Sequence, residues 1–285
     1  MQRTEVRPSI PGVISTLTID PLTTTIGAEI GGVDLADDLS DETIAAIRQA
    51  LLEWKVIFFR DQHRLDRDSH VAFGRRFGDL EIHPLTPAGQ DHAEVFVLPA
   101  GGDRKAPGQW HSDVTWRPEP SLGSILRSIE LPPVGGDTLW ADMHVAYDLL
   151  DDAMKSRIDG LVGLHDYARV FGAASTPEVQ EKMRAEHPTV EHPIVRTHPE
   201  TGRKALYVNV AFTSAILDMD EAEARPLLRR LERQAWLPDV QCRFRWRAGS
   251  VAFLDNRSTQ HCVSNDFLPE RRVMERVTVV GDRPF

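Results

Sequence analysis

The segment GQWHSDVTW contains two residues, His111 and Asp113, whose side chains could bind a metal ion together. They are two positions apart in a β-like run, and side chains at that spacing in a strand lie on the same face. An imidazole and a carboxylate would supply two ligands of the 2-His-1-carboxylate site of non-haem Fe(II) proteins, which leaves coordination positions open. The same pair also fits a surface contact or a helix cap, so a metal site requires a third ligand.

His261 is available as that third ligand, because it is the single histidine of the C-terminal segment 250–285. The pattern predicts that it lies just after one strand and just before the next. The alternative is a loop histidine that hydrogen-bonds to the backbone. Spacing alone leaves both interpretations open.

Two arginines near the C-terminus indicate a need for anionic partners. Arg272 and Arg276 are four positions apart in an alternating segment, so they share one face of the predicted strand with Met274. A buried guanidinium is costly without a partner, and its planar fork suits carboxylate or sulfonate oxygens. The alternative is a solvated face on which the arginines form salt bridges with Asp266, Glu270 or Glu275.

The elements that must position these side chains follow from apolar periodicity. In SDETIAAIRQALLEWK the residues Ile44, Ile47, Leu51 and Leu52 fall on one helical face, and Ser40 is placed to cap the helix. The apolar run VIFFR follows directly and predicts a buried strand.

Short strands separated by turn residues dominate the rest of the chain. Their sequences are EVFVL, GSILRSIE, DTLW, PIVRTH, ALYVNV, QCRFRWR, SVAFLD and VMERVTVV. The loop PETGRK suits an antiparallel hairpin, and helical patterns interrupt the strands at 142–160, 176–186 and 219–235. The prediction is an α+β fold: a β-sandwich or jelly-roll barrel with flanking helices, as a single domain over 15–285 after a loose arm at 1–14.

Composition excludes several classes of protein. The 285 residues are 41% hydrophobic and include no apolar run of membrane-spanning length, and the net charge of −10 disfavours nucleic acid as a general partner. The two cysteines, Cys242 and Cys262, are too few for a disulfide framework, and the segment MQRTEVRPSIPGV does not have the pattern of a secretory signal. We therefore expect a cytoplasmic protein without a membrane partner, in which any anion binds in a local pocket.

Three ordered motifs resemble the taurine/2,4-dichlorophenoxyacetate dioxygenase (TauD/TfdA-like) family of Fe(II)- and 2-oxoglutarate-dependent oxygenases. They are WHSDVTW, GGDTLWADM, and DNRSTQH with Arg272 following, and the similarity extends from GAEIGGVDL to the final GDRP. The resemblance implies a double-stranded β-helix, the jelly-roll barrel, with His111, Asp113 and His261 as the catalytic ligands of Fe(II). It also implies 2-oxoglutarate and O2 as cosubstrates and a homo-oligomer, either a dimer or a tetramer.

By position, the resemblance implies that Thr138 and Arg272 hold the distal carboxylate of 2-oxoglutarate. This pairing is physically sensible. The 1-carboxylate and 2-keto oxygens chelate the iron, so the far carboxylate needs a charged fork and a hydroxyl donor.

A substrate site is implied in the same way. Arg276, His83 and the backbone N–H of Val114 match the clamp that holds the substrate sulfonate in taurine dioxygenase. Phe212 matches an aromatic wall of the pocket, and Trp116 offers a second large apolar surface, although either ring could simply pack in the core.

Two departures from taurine dioxygenase leave the substrate open, because Thr86 and Pro107 replace a tyrosine and an asparagine that help to recognise taurine. The implied function is hydroxylation of a small organic anion, such as a sulfonate, sulfate ester or carboxylate. Succinate and CO2 are released, and the substrate is often cleaved to an aldehyde. The alternatives are a family oxygenase acting on an aryloxy acid or a natural-product intermediate, and a metal-binding jelly-roll protein that is not an oxygenase.

Overall fold

The computed structural model describes residues 17–87 and 89–285, so the arm predicted over 1–14 lies outside the described residues. The described chain combines helices with β-sheets. Its strands are β1 Thr18–Pro21, β2 Ala28–Gly31, β3 Val56–Phe59, β4 Val95–Ala100, β5 Gly123–Glu130, β6 Thr138–Asp142, β7 Val162–His165, β8 Val190–Pro193, β9 Val195–Thr197, β10 Lys204–Leu206, β11 Thr213–Ile216, β12 Gln241–Phe244, β13 Val251–Asp255, β14 Thr259–Val263 and β15 Arg272–Val279.

The helices lie between these strands. They are α1 Asp41–Trp54, α2 Arg67–Arg75, α3 Met143–Asp148, α4 Asp152–Ile158, α5 Ala168–Phe171, α6 Pro177–Glu186 and α7 Glu221–Glu232, followed by short 3-10 helices at Arg233–Trp236 and Pro238–Val240. Among the described residues, no helix combines the length and the apolar character that crossing a membrane requires.

Two sheets build the part of the fold that carries the site. The larger has seven strands in the order β1-β2-β3-β13-β5-β15-β4, and the smaller has the order β12-β6-β14. Every pair is antiparallel except β2 with β3. Because β15 is in the larger sheet and β14 in the smaller, the two sheets bring distant parts of the C-terminal segment to one place.

Aromatic side chains fill the space between the two sheets. Phe58 of β3 stacks on Phe244 of β12 with ring centroids 3.9 Å apart, and it meets the edge of Trp140 of β6 at 5.2 Å. All three rings are buried, and full burial of such a side chain contributes roughly 1.5–3 kcal/mol. This packing holds the two sheets face to face.

Helices cover the outer faces of both sheets. On β3, Val56 and Phe58 point toward the inter-sheet core, whereas Ile57 and Phe59 join the cluster beneath α1 and α2. The VIFF strand is therefore buried on both faces, which explains its continuous apolar run. Helices α3, α4 and α7 form a second outer cluster beside β6.

Short-range hydrogen bonds define both ends of α1, and the predicted cap at Ser40 is confirmed. The Ser40 side chain accepts a hydrogen bond from the Thr43 N–H at 3.3 Å. Lys55 takes the left-handed conformation at the C-cap, with φ of 63°, and its N–H donates to the Leu51 carbonyl. This single residue turns the chain out of α1 and directly into β3.

Most predicted strands and helices correspond to observed elements, although the QCRFRWR strand is shorter than expected and ends at Phe244. The helix expected over 142–160 is two helices, α3 and α4, and the ALYVNV strand is reduced to Lys204–Leu206. The hairpin is confirmed, because β9 and β10 pair antiparallel on either side of the PETGRK loop. Helix α2 was not predicted, although Asp66 and Ser69 form a capping box at its start.

Candidate active site

Three side chains that the sequence analysis placed together do meet in the structure. One possible ligand atom from each of His111, Asp113 and His261 lies within 4.8 Å of the other two, and all three residues are buried. The Nε2 of His111 is 3.8 Å from an Asp113 carboxylate oxygen, and the two imidazole centroids are 4.3 Å apart. This is the single such group of metal-binding side chains in the described parts of the chain.

The backbone places this group differently from the predicted strand pair. His111 and His261 form an isolated antiparallel bridge, with N–H to carbonyl distances of 3.1 and 2.8 Å. Asp113 lies in a turn, so the β-like run expected for GQWHSDVTW is wrong. His261 lies inside β14, opposite Trp140 of β6, rather than between two strands.

Val114 explains why the run is not a strand. Its φ is 48°, in the left-handed region that a β-branched residue rarely adopts. The chain therefore reverses directly after Asp113, and the Val114 carbonyl accepts a hydrogen bond from the Arg117 N–H. The Val114 N–H donates to no partner among the residues that the structure describes, so it remains available to an anion.

The carboxylate of Asp113 is held at both oxygens. Oδ1 accepts from Arg276 at 2.7 Å, and Oδ2 accepts from the Ser124 hydroxyl at 2.8 Å. Burial would raise the pKa of Asp113, but the charge of Arg276, the two neighbouring histidines and the Ser124 hydrogen bond hold it well below its usual range. Asp113 is therefore an ionised carboxylate at neutral pH.

Each of the two histidines has a ring nitrogen that is suited to bind a cation. The Nδ1 of His111 faces the Gln109 carbonyl at 2.8 Å, and because a carbonyl only accepts, the ring proton lies there and Nε2 keeps its lone pair. Burial, together with neighbouring charges, lowers the pKa of His261 to about 3. Two imidazole nitrogens and one carboxylate fit a divalent transition metal such as Fe(II).

A second buried cation, Arg272, lies beside this group. Its Nε donates to the Gly136 carbonyl at 3.0 Å and its Nη2 to the Thr138 hydroxyl at 3.2 Å, and Trp246 lies beneath the guanidinium at 5.7 Å. Arg272 is only 3% exposed, and burial lowers its pKa to about 10. No described carboxylate pairs with it, which leaves a buried positive charge suited to an anionic ligand.

Thr138 is oriented for the same ligand. Its hydroxyl oxygen accepts two hydrogen bonds, from Arg272 and from Trp246 at 2.9 Å. A hydroxyl with both acceptor positions filled can only donate its own proton. That proton and the Arg272 fork could together hold a carboxylate.

The close approach of Arg272 depends on the glycine pair before Thr138. Gly135 and Gly136 have φ of 83° and 70°, and a Cβ on Gly136 would lie 3.1 Å from the Arg272 side chain. Glycine therefore suits these positions because of their positive φ and because a side chain on Gly136 would crowd Arg272.

The solvated salt bridges considered for the two arginines do not form. Glu275 lies on the opposite face of β15 and binds Arg67 and Arg127, and Asp266 lies 3.5 Å from Arg243. Arg276 is buried and pairs with Asp113 instead.

His83 completes a cluster of groups around Arg276. Its ring stacks on Phe96 with centroids 4.2 Å apart, and Arg276 lies over the same Phe96 ring at 5.6 Å. The Nδ1 accepts from the Leu85 N–H, so the proton of the neutral ring is on Nε2. Burial and the charges of Arg276 and Arg117 lower the pKa of His83 to about 4. His83 is therefore a neutral N–H donor at neutral pH.

Phe212, predicted to line the pocket wall, belongs to an aromatic cluster beside Val114. The buried members include Trp116 and Tyr167, and Phe171 packs against them. Phe171 lies 6.4 Å from Phe212 and 6.5 Å from His83, ring to ring. It links the apolar wall to the polar cluster, and sequence reasoning missed it because no motif surrounds it.

Sequence reasoning also missed the groups that support the ligands. Ser124 binds the Asp113 carboxylate, and Asn256 of the DNR motif binds the Asp113 backbone. Glu81, two residues before His83, forms a 2.8 Å ion pair with Arg117. The motif DNRSTQH could have pointed to Asn256, whereas the Glu81 contact has no local signal.

The remaining histidines stay outside the ligand group. Several of them bind backbone carbonyls or carboxylates elsewhere: His70 binds Ile125, His144 binds Lys204, His192 binds Thr115, and His198 binds Asp255.

Comparisons with known proteins agree with this geometry. The family model described as "Taurine catabolism dioxygenase TauD, TfdA family" matches residues 18–278. An alkylsulfatase of Acinetobacter baylyi is 34% identical over 93% of this chain and 86% of its own length. An alpha-ketoglutarate-dependent sulfate ester dioxygenase of Pseudomonas putida is 35% identical over 94% of this chain and 91% of its own. The crystal structure of a taurine dioxygenase from Burkholderia xenovorans superposes with a TM-score of 0.82 at 39% identity, covering 95% of this chain and 91% of that one.

Proposed function

Since the chain belongs to the taurine/2,4-dichlorophenoxyacetate dioxygenase (TauD/TfdA) family, we propose that it is an Fe(II)- and 2-oxoglutarate-dependent dioxygenase that hydroxylates a small organic anion. The observation that carries this function is the meeting of two imidazoles and one carboxylate at a buried point. His111, Asp113 and His261 hold the iron and leave positions open for other ligands. Fe(II), when bound there, supplies the activation of O2 that oxidises 2-oxoglutarate and the substrate.

Thr138 and Arg272 bind the distal carboxylate of 2-oxoglutarate. The support is a guanidinium that is buried without a described acidic partner, next to a hydroxyl whose proton must be donated. A charge-assisted pair of this kind also fixes the orientation of its ligand. The keto acid is thereby directed toward the three metal-binding side chains.

Arg276, His83 and the Val114 N–H bind the anionic group of the substrate. Arg276 contributes charge, and the two neutral donors fit oxygen atoms that need hydrogen bonds but no further charge. Phe212 and the neighbouring aromatic rings face the body of the substrate. Binding energy from the remote anion is converted into orientation of the C–H bond to be oxidised.

The substrate class that we favour is a sulfate ester with an apolar body. Two relatives carry the names alkylsulfatase and sulfate ester dioxygenase. The positions at which taurine dioxygenase has polar taurine contacts are Thr86 and Pro107 here, and the wall around Phe212 is aromatic. A taurine ammonium group would meet little that is polar on that wall.

The reaction is an oxidative cleavage. Hydroxylation of the carbon that bears the sulfate oxygen replaces one C–H bond by a C–OH bond. One atom of O2 enters this hydroxyl and the other enters succinate, while 2-oxoglutarate loses CO2. The hydroxylated ester then breaks its C–O bond to sulfate as the hydroxyl proton leaves, which yields an aldehyde and sulfate.

The proposal extends to the β-helix topology, the oligomeric state and the cellular compartment of the protein. A double-stranded β-helix is supported by the two largely antiparallel sheets that face each other across the Phe58–Phe244 contact. We propose a homodimer or homotetramer in the cytoplasm, consistent with the free thiols of Cys242 and Cys262. Light scattering should give the mass of two or four chains, and a monomer would refute the assembly.

Coupled turnover tests the function. Metal-free protein is given Fe(II), 2-oxoglutarate and O2 with hexyl sulfate, hexanesulfonate, taurine or 2,4-dichlorophenoxyacetate, and succinate is measured together with sulfate, sulfite or phenol. We expect substrate-stimulated succinate formation that is strongest with hexyl sulfate, with sulfate released in equal amount. Sulfate release that proceeds with Zn(II) in the absence of O2 would indicate a hydrolase, and a lack of succinate with every compound would refute the oxygenase.

A further inference from the structure

One residue of the DNRSTQH motif binds the turn that carries two proposed site groups. The Oδ1 of Asn256 accepts a hydrogen bond from the Asp113 N–H at 2.6 Å, and its Nδ2 donates to the Asp113 carbonyl at 2.9 Å. The same Nδ2 reaches the Ser121 carbonyl at 3.3 Å and the Ser121 hydroxyl at 3.0 Å. A single side chain therefore binds both backbone groups of a metal-binding residue.

Asn256 is itself held rigidly. It is fully buried, and its own N–H donates to the Leu122 carbonyl at 2.9 Å. Its amide therefore bridges the loop after β13 to the turn before β5. Only an amide offers an acceptor and two donors in this planar arrangement, so a carboxylate or an apolar side chain cannot replace it fully.

The Asn256 amide holds the turn in which Asp113 and Val114 offer their proposed metal-binding and anion-binding groups. Asp113 directs its carboxylate toward the histidines, and Val114, directly after it, turns with φ of 48° and leaves its N–H free of described partners. A valine leaves this conformation readily unless its surroundings fix it. The two hydrogen bonds from Asn256 to the Asp113 backbone fix the turn on the Asp113 side, and the Arg117 N–H bond to the Val114 carbonyl fixes it on the other side.

We propose that Asn256 is a positioning residue that couples the metal site to the anion clamp by fixing the Asp113–Val114 turn. The inference rests on the proposed function of the site. It assigns to one amide the joint orientation of a metal ligand and of the backbone donor for the substrate anion. Loss of the amide should therefore weaken both interactions and spare the 2-oxoglutarate contacts of Thr138 and Arg272.

The chain offers a matched control in Asn265. Its Oδ1 accepts from the Ala106 N–H at 2.9 Å, and its Nδ2 donates to the Ala106 carbonyl at 3.1 Å. The hydrogen-bond pattern is the same, but Ala106 brings no side chain to the metal group. Asn265→Ala therefore removes the same pair of backbone hydrogen bonds without loosening the Asp113 turn, although Asn256 also contacts Ser121.

The experiment compares Asn256→Ala, Asn256→Asp and Asn265→Ala, each shown by circular dichroism to be folded. Mn(II) affinity of the metal-free protein is measured first, followed by KM for hexyl sulfate and for 2-oxoglutarate. Both Asn256 variants should bind Mn(II) about 10- to 100-fold more weakly, as is typical for residues that orient metal ligands. Their KM for hexyl sulfate should rise, whereas KM for 2-oxoglutarate should stay within about twofold.

The outcomes separate this inference from the proposed function. Wild-type protein that fails to bind Mn(II) overturns both. A second outcome is that the wild type binds Mn(II) but the Asn256 variants match Asn265→Ala in Mn(II) affinity and in both KM values. This outcome overturns only the role of Asn256. If the Asn256 variants do not fold, Ser121→Ala, which removes one acceptor of the amide, must weaken Mn(II) binding severalfold, and an unchanged affinity refutes the role.

Discussion

The two buried arginines of β15 differ in what surrounds them. Arg276 is paired with the Asp113 carboxylate at 2.7 Å, whereas Arg272 meets only a carbonyl, a hydroxyl and an indole. A buried cation without a counter-ion is costly, so Arg272 requires an anion more strongly than Arg276 does. This difference supports the proposal that Arg272 binds 2-oxoglutarate, the ligand common to every turnover.

Replacing Arg272 by Gln should raise the KM for 2-oxoglutarate. Truncating one partner of a buried charged hydrogen-bonded pair costs about 2–5 kcal/mol, which corresponds to ~30-fold or more. Succinate formation at varied 2-oxoglutarate is the measurement. Arg271→Gln is the control, because Arg271 is exposed and pairs with Glu130. An unchanged KM in Arg272→Gln would contradict the assignment.

Replacing Arg276 by Gln should act mainly on the anionic substrate. KM for hexyl sulfate should rise at least ~10-fold, because a charge-assisted contact to the anion is lost. Succinate formed without substrate should fall less, since Thr138 and Arg272 are untouched. Equal losses in both measurements would show that the two arginines do not have separate roles.

Among the secondary-structure elements, those with a local signal could be predicted and those set by distant partners could not. The Ser40 cap, the strand β15 and the PETGRK hairpin are local, and all three are confirmed. His261 was expected between strands because the register of β14 depends on Trp140 of β6, about 120 residues earlier in the chain. The turn at Val114 was mistaken for a strand because its φ depends on tertiary contacts.

The loop that carries His83 and the turn that carries Val114 are joined by one ion pair, Glu81 with Arg117. Glu81 is buried, and burial raises its pKa against the opposing charges of Arg117 and Arg276. Glu81 lies two residues before the proposed donor His83, and Arg117 lies three residues after the proposed donor Val114. We therefore expect this ion pair to set the spacing of His83 and Val114.

A double-mutant cycle tests this spacing. Glu81→Gln and Arg117→Gln should each raise the KM for hexyl sulfate, and the double variant should lose less than the sum, with a coupling of about 1 kcal/mol. The control cycle uses Arg75 and Glu94, a more exposed pair whose 2.7 Å contact is close to the 2.8 Å contact of Glu81 with Arg117. Additive effects at Glu81 and Arg117 would show that the ion pair does not link the two segments.

Across the whole molecule, the site depends on the packing of the two sheets. His111 and His261 are 150 residues apart in the sequence. They meet through an antiparallel bridge, next to the aromatic cluster that packs between the two sheets. Sequence motifs could identify the ligand residues through family resemblance. The distances between those residues come from the fold, which no single motif contains.

The buried histidines make the stability of this fold sensitive to acid. Burial lowers the pKa of His70, His83 and His192 to about 4, so all three stay neutral in the folded chain while the unfolded chain takes up protons below about pH 6.5. The contribution of these three histidines to the free energy of unfolding is therefore fully present above pH 6.5, and it is lost as the pH falls toward 4. Each histidine contributes a slope of up to ~1.4 kcal/mol per pH unit.

Urea unfolding of the metal-free protein between about pH 7 and about pH 5 measures this slope. The variant His70→Gln keeps an N–H donor for the Ile125 carbonyl but cannot titrate, so its slope should be smaller. His63→Gln serves as the control, since the His63 side chain is 63% exposed. A free energy of unfolding that does not fall with pH over this range would refute the role of the buried rings.

Metal binding by the intact chain tests the central claim most directly. Titration of metal-free protein with Mn(II), followed by electron paramagnetic resonance, should show one tightly bound ion per chain. That binding should be lost in each of His111→Ala, Asp113→Ala and His261→Ala and kept in His63→Ala. If any one of the three ligand variants binds Mn(II) as the wild type does, the three side chains do not share a single metal ion.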